Sequence, residues 1–173
     1  MRNTYLIGMM GSGKTTSGRA LARLLDVPFV DLDERIVERA GRSINEIFQT
    51  EGEPYFRRLE RELLAQVSGN QGQVVATGGG IVLDRANGAQ MRRTGLVVYL
   101  RTSFEVLWER VQEVRDRPLL RARDPRKALA ELCRERVPLY ENVSDRIFLT
   151  DRKTSEAVAL EIFKACFESE LSQ

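Results

Sequence analysis

Gly8-Met9-Met10-Gly11-Ser12-Gly13-Lys14-Thr15 decides the fold, because it satisfies GxxxxGK[ST] at every fixed position and follows a short apolar run, Tyr5-Leu6-Ile7. Glycines at 8, 11 and 13 let the backbone curl round an anion with its N–H groups turned inward, in conformations closed to residues with a β-carbon. A helix that starts at this loop adds its positive dipole end and unpaired N–H groups. In that frame Gly11, Ser12, Gly13, Lys14, Thr15 and Thr16 hold the phosphates of a nucleoside triphosphate, Lys14 reaches the outer two, and the Thr15 hydroxyl is placed to ligate Mg²⁺. The bland alternative is a glycine turn that happens to carry a lysine. The context speaks against it: residues 3–9 read as a buried parallel strand, and Thr16 to Leu25 puts Ala20, Leu21, Leu24 and Leu25 on one helical face.

Working outward, strand and helix patterns alternate. Pro28 to Leu32 reads as a second strand, Gln73 to Thr77 as a third, Leu96 to Leu100 as a fourth and Arg146 to Thr150 as a fifth. Residues 34–68 carry a helical pattern broken near Gly41-Arg42-Ser43 and near Glu51-Gly52; Ser43 with Glu46 makes a capping box, and Ile44, Ile47 and Phe48 form the apolar face that follows. Further helices are expected from about Ser103 to Val114, from Asp124-Pro125 to about Asn142, and from Ser155 to about Ser169. This alternation means a parallel sheet covered on both faces.

Composition narrows the chemistry. A chain of 173 residues, 42% of them hydrophobic and without linker, repeat or low-complexity tract, suits one globular domain. Its formal net charge of +2 argues for neither nucleic acid nor a membrane surface. The basic residues are 23 Arg against 4 Lys, and Arg is the residue that forks onto carboxylate and phosphate. Histidine is absent, which removes Ser-His-Asp and Cys-His nucleophile systems and most zinc sites. Cys133 and Cys166 have no second-ligand spacing and read as small core residues. The first strand follows only two or three residues, no apolar run approaches the roughly 18 residues that span a bilayer, and a cytoplasmic location is expected.

Several groups beyond the loop point to chemistry. Asp31 and Asp33 flank Leu32, and in an extended strand end both side chains point the same way, toward the phosphate loop. One carboxylate would hold the metal's water shell and the other would accept a proton from the hydroxyl being phosphorylated. The competing reading is a turn-forming Asp plus an N-cap for a helix starting at Glu34. Phe56-Arg57-Arg58 lies on a helix where Glu60 and Glu62 offer plain surface partners. Gly78-Gly79-Gly80 closes a central strand, which weakens it unless something must approach the backbone closely or a tight turn needs it. Residues 115–124 have no strand or helix period and hold four arginines; they read as a mobile, arginine-bearing lid or as an ordinary solvated loop.

Taken together, the phosphate loop, Asp31-Leu32-Asp33, Gly52-Glu53 with Phe56-Arg57, Thr77 through Gly80, Arg117-Pro118-Leu119-Leu120 and Arg136 through Pro138-Leu139-Tyr140 resemble the shikimate kinases in order and spacing, from about residue 3 to 165. The resemblance implies a nucleoside-monophosphate-kinase-like, three-layer α/β/α fold with a five-stranded parallel sheet. It also implies a single domain over residues 1–173, with a substrate-binding region about 33–61 and a lid about 112–124. The implied reaction moves the γ-phosphoryl group of ATP to the 3-hydroxyl of shikimate, with Mg²⁺, as a step of aromatic amino acid biosynthesis. By the same resemblance Arg57 and Arg136 take the shikimate carboxylate, and Asp33 and Gly79, within Gly78 to Gly80, take its hydroxyls. Arg117 and Lys14 take the transferring phosphoryl, Thr15 ligates Mg²⁺ directly and Asp31 does so through water, Arg110 stacks on adenine, and Arg152 or Lys153 closes that pocket. A monomer is expected. The rival is another small-molecule kinase of this fold, such as a gluconate kinase or a nucleoside monophosphate kinase. A guanine-reading NKxD motif is absent, which argues against a GTPase switch.

Overall fold

Strand β1 (Asn3–Ile7) runs through the middle of a five-stranded, all-parallel sheet of order β2-β3-β1-β4-β5, in a computed structural model that describes residues 1–112 and 123–168. The other strands are β2 (Phe29–Asp31), β3 (Val74–Ala76), β4 (Gly95–Arg101) and β5 (Arg146–Leu149). Between them lie α1 (Lys14–Leu25), α2 (Leu32–Ala40), α3 (Ile44–Thr50), α4 (Glu53–Ser68), a 3₁₀ turn at Ile81–Leu83, α5 (Arg85–Thr94), α6 (Phe104–Gln112) and α7 (Pro125–Val143), with α8 (Ser155–Cys166) closing the chain.

Alternate residues of each strand feed two separate cores. Tyr5, Ile7, Val75, Val97 and Tyr99 face a larger core with α2 through α7, while Leu6, Val74, Val98 and Leu100 face α1 and α8. Every residue of β1 and β3 is buried, as expected of strands covered on both sides. Cys133 and Cys166 are half-buried and pack against these cores, one each. Among the described residues no helix is long and apolar enough to cross a membrane.

Three details differ from the sequence reading. Helix α1 starts at Lys14, directly after Gly13 with φ of 89°, and buries Ser17, Gly18, Leu21 and Ala22, leaving Leu24 exposed. The reason is close approach: a Cβ on Gly18 would sit 3.0 Å from Leu6 and nearer still to Phe29, so small residues let this helix lie down on the sheet. The extended end at Asp31-Leu32-Asp33 is also corrected. Asp31 ends β2 and caps α2, its side chain accepting from the N–H groups of Asp33 at 3.0 Å and Glu34 at 3.3 Å, so Leu32 and Asp33 are already helical. Helix α5 has no counterpart in the sequence reading. It offers one buried apolar side chain, Met91, and packs otherwise through Asn87 and Gly88, so it carries no apolar stripe.

Candidate active site

The C-terminal ends of β1, β2 and β3 open onto one cleft of about 800 Å³, which is where open α/β sheets place ligands. Two hydrogen bonds set the loops side by side, since both the N–H (3.2 Å) and the hydroxyl (2.9 Å) of Thr77 donate to the carbonyl of Leu6. The phosphate loop leaves β1 on one side of that junction, and Gly78 to Gly80 leave β3 on the other.

The loop side is built from neighbours in sequence. The Lys14 ammonium donates to the carbonyls of Gly8 and Met9, both at 2.9 Å, and the Thr15 hydroxyl donates to Asp31 Oδ2 at 2.7 Å. Gly11, Gly13 and Thr16 line the cleft beside them, and buried Ser12 turns its N–H back onto the Met9 carbonyl at 3.1 Å. One hydroxyl and one carboxylate, with a lysine alongside, form a hard oxygen donor set that fits a magnesium ion taking its other ligands from phosphate and water. Arg110 lies behind the loop, donating to the Gly11 carbonyl at 3.0 Å and to the Thr150 carbonyl at 3.5 Å. Arg152 sits two residues past Thr150, exposed and in the left-handed region with φ of 56°; neither it nor Arg110 lines the cleft.

The opposite side draws on four distant segments. Asp33 reaches in from α2, Arg57 and Glu60 from α4, the triple glycine from β3, and Arg136 from α7. Arg57 Nη1 donates to Glu60 Oε2 at 2.8 Å, while its Nε and Nη2 donate to Glu53 Oε1 at 3.2 and 3.1 Å. Glycine is needed at the turn for space: a Cβ on Gly78 would lie 2.8 Å from Glu60 Oε1 and 2.9 Å from Asp33 Oδ1, and one on Gly80 would lie 2.7 Å from the Arg57 Cζ. Asp33 Oδ1, Glu60 Oε1 and Arg136 Nε are buried and find no hydrogen-bond partner among the described residues. Three polar atoms of this kind converging on one turn mark a surface built to receive polar groups. Burial, then repulsion from Asp31, raises the Asp33 carboxyl above the usual carboxylate range against the pull of Lys14 and Arg57. Burial raises Glu60 as well, against the pull of Arg57.

Comparison with known proteins agrees with this geometry. The sequence model of the shikimate kinase family matches residues 10–167. The chain belongs to the shikimate kinase family. A shikimate kinase of Aromatoleum aromaticum is 46% identical over 160 residues, 92% of this chain and 91% of its own. One from Actinobacillus pleuropneumoniae is 43% identical over 163 residues, 94% of each chain. The solved structure of the Acinetobacter baumannii shikimate kinase in complex with shikimate superposes with a TM-score of 0.94 at 36% identity, over 99% of this chain and 96% of that one. The chain is therefore an ATP-using phosphotransferase with the nucleoside-monophosphate-kinase-like α/β fold.

Most of the residues singled out from sequence meet in the cleft: Lys14, Thr15 and Asp31 on one wall, Asp33, Arg57, Gly78 to Gly80 and Arg136 on the other. Arg117 and the expected lid, apart from Gln112, Arg123 and Asp124, lie outside the described residues. Sequence reasoning missed the part that Glu60 and an apolar lining play in the cleft. Glu60, offered there as a plain surface partner of Arg57, is fully buried and holds that arginine from below. The signal lay in spacing, since Glu60 shares a helical face with Arg57 and Phe56 with Leu63. Phe48, Ile44 and Leu132 supply the apolar part of the lining, Phe48 packing on Phe56 with ring centroids 4.9 Å apart.

Proposed function

We propose that this kinase transfers the γ-phosphoryl group of ATP to the 3-hydroxyl of shikimate, giving shikimate 3-phosphate and ADP. The observation that carries the proposal is the division of the cleft: a phosphate loop with Lys14, Thr15 and Asp31 faces two guanidinium groups and the buried carboxylate of Asp33 across a triple glycine. Two forked cations suit a ring-borne carboxylate, which Arg57 and Arg136 hold. Glycine backbone at 78–80 lets a polyol approach its N–H groups, and the apolar lining at Ile44 and Phe48 covers the ring's carbon face.

Asp33 then orients the acceptor hydroxyl and takes its proton as the oxygen attacks phosphorus. Its raised proton affinity, caused by burial and by Asp31, makes it a better base than an exposed aspartate. Lys14 leaves the Gly8 and Met9 carbonyls for the outer phosphates, where charge spreads in the transition state. Thr15 and Asp31 would hold a bound Mg²⁺, which would supply positive charge against the phosphate oxygens. Arg110 keeps the loop braced from behind and, with Arg152, flanks the side on which the base would rest. One domain, a monomeric state and a cytoplasmic location complete the reading.

The test is ADP release by the purified protein with Mg-ATP and, in turn, shikimate, gluconate and nucleoside monophosphates. Turnover with shikimate alone is expected. Preferential turnover with gluconate or a nucleoside monophosphate would replace the acceptor assigned here.

A further inference from the structure

Arg136 and Tyr140 stand one turn apart on α7 and share the face turned to the triple glycine. Tyr140 is fully buried, and its ring stacks on Tyr99 of β4 with centroids 5.1 Å apart. Its hydroxyl donates to the carbonyl of Gly79 and lies 3.6 Å from the sulfur of Met9 in the phosphate loop. One phenol therefore touches the acceptor turn, the nucleotide loop and, through its own helix, the arginine that faces the acceptor.

The turn needs such a holder. The Gly78 carbonyl accepts from the Ile81 N–H at 3.2 Å and the Gly80 carbonyl from the Leu83 N–H at 3.0 Å, while the carbonyl between them goes to Tyr140. Successive glycines have no side chains to restrict the plane of the peptide that joins them. In a trans peptide the C=O and the following N–H lie in one plane and point opposite ways, so the phenol that takes the Gly79 carbonyl fixes the Gly80 N–H pointing away from Tyr140. A hydrogen bond received by the carbonyl also strengthens the N–H of the same peptide as a donor. The plane lies between two guanidinium groups, since a Cβ on Gly79 would sit 3.7 Å from Arg136 Nη1 and one on Gly80 against Arg57.

We infer that Tyr140 is a positioning residue for the acceptor: its hydroxyl fixes the plane of the Gly79–Gly80 peptide, and with it the backbone donor and the spacing of the two guanidinium groups. This rests on the assignment of Arg57, Arg136 and the triple glycine to the acceptor. Burial raises the phenol well above its ordinary value, against the pull of Arg136, so it stays a neutral donor at any working pH.

Tyr140→Phe separates this role from packing, because it keeps the ring and its stack on Tyr99 and removes only the hydroxyl, with its bond to the Gly79 carbonyl and its contact to Arg136. The readouts are KM for each substrate with kcat, the melting temperature, and the Gly79 carbonyl-carbon and Gly80 amide resonances of the isotopically labelled protein. The expected result is a shikimate KM raised about tenfold, an ATP KM and kcat within about threefold of the parent, and a melting temperature nearly unchanged. The Gly79 and Gly80 resonances move further than those of Gly11 and Gly13. Tyr140→Leu, which also loses the stack, lowers the melting temperature and reports the packing contribution separately. Unmoved Gly79 and Gly80 resonances overturn the inference whatever the acceptor is. So does an equal rise of both KM values, or a shikimate KM that stays at the parent value in an active enzyme. A parent protein that ignores shikimate while the Gly79 and Gly80 resonances respond to Tyr140→Phe overturns the acceptor assignment and leaves the peptide-plane role standing.

Discussion

The two walls of the cleft are made in opposite ways. The nucleotide wall is one stretch, Gly8 to Thr16, whose working groups are backbone N–H donors, a lysine and a hydroxyl already held by contacts within the loop or by Asp31 at the end of β2. The acceptor wall is assembled from Asp33, Arg57, Glu60, Gly78 to Gly80 and Arg136, held in place by buried charge and by helix packing. A local wall survives single substitutions structurally and fails chemically. A distributed wall fails by losing alignment, so its damage should appear in binding of one substrate.

The largest expected effect is on the local wall. Lys14→Ala removes the charge that meets the phosphates as they spread negative charge, so kcat should fall about 10³-fold or more while far-UV circular dichroism and melting temperature stay near the parent values. Near-normal turnover would mean that the loop's N–H groups suffice. Next comes Asp33→Asn, which keeps size and one acceptor and should slow the single-turnover phosphoryl step by about 10²–10⁴-fold with a smaller change in shikimate affinity. An unchanged single-turnover rate would reduce Asp33 to an aligning group.

Smaller effects sharpen the contrast. Arg57→Lys keeps the charge and loses the fork, and a buried charge pair broken in this way costs about 2–5 kcal/mol, so shikimate affinity should drop by about 30-fold or more with ATP affinity held. Equal loss for both substrates would show that the walls are not independent. Gly80→Ala pushes the Arg57 guanidinium aside and should raise the shikimate KM about tenfold with little effect on the ATP KM. A parent-like shikimate KM would show that Arg57 can give way without loss.

The smallest expected effect concerns stability. Because burial and then Asp31 raise the Asp33 carboxyl in the folded chain, the fold favours its protonated form. That preference costs nothing below the ordinary value of 3.8 and becomes a full penalty once pH passes the raised value. Asp33→Asn should therefore melt higher than the parent at about pH 8, by about 2–4 °C for each kcal/mol relieved, and the gain should vanish toward about pH 3. A lower melting temperature at about pH 8 would mean that the carboxylate is stabilised after all.

What was legible in the sequence follows the same division. The phosphate loop was readable because its chemistry is contiguous and its glycines have a backbone reason to be there. Strands β1, β3 and β4 were readable as apolar runs, and the Ser43–Glu46 capping box is present as written. The triple glycine stood out as a strand end open to close approach, whereas the roles of Arg57 and Arg136 carried no such local reason and entered through resemblance to a family. Glu60 escaped because an acidic residue on a charged helix looks like solvated surface until α4 packs against β3's turn. Helix α5 escaped because Asn87 and Gly88 pack where an apolar stripe would be expected, with Asn87 donating to the Ile81 carbonyl at 3.2 Å. The buried face of α1 was misjudged because closeness to Phe29 and Leu6, and not hydrophobicity, selects Gly18.

Placing β1 at the centre of the sheet has a consequence for how the molecule comes into being. Its partners are Val74 to Ala76 on one side and Gly95 to Tyr99 on the other. The strand that anchors the phosphate loop finds no hydrogen-bonding neighbour close by in the chain: β2 and four helices come before its first partner, β3, and α5 before its second, β4. Such long-range pairing is slow, because loop closure comes before its reward, and it leaves an apolar strand exposed meanwhile. Slow refolding, with β1 amides protected late and together with those of β3 and β4, is the kinetic signature to expect of an enzyme whose most local motif depends on its least local contacts.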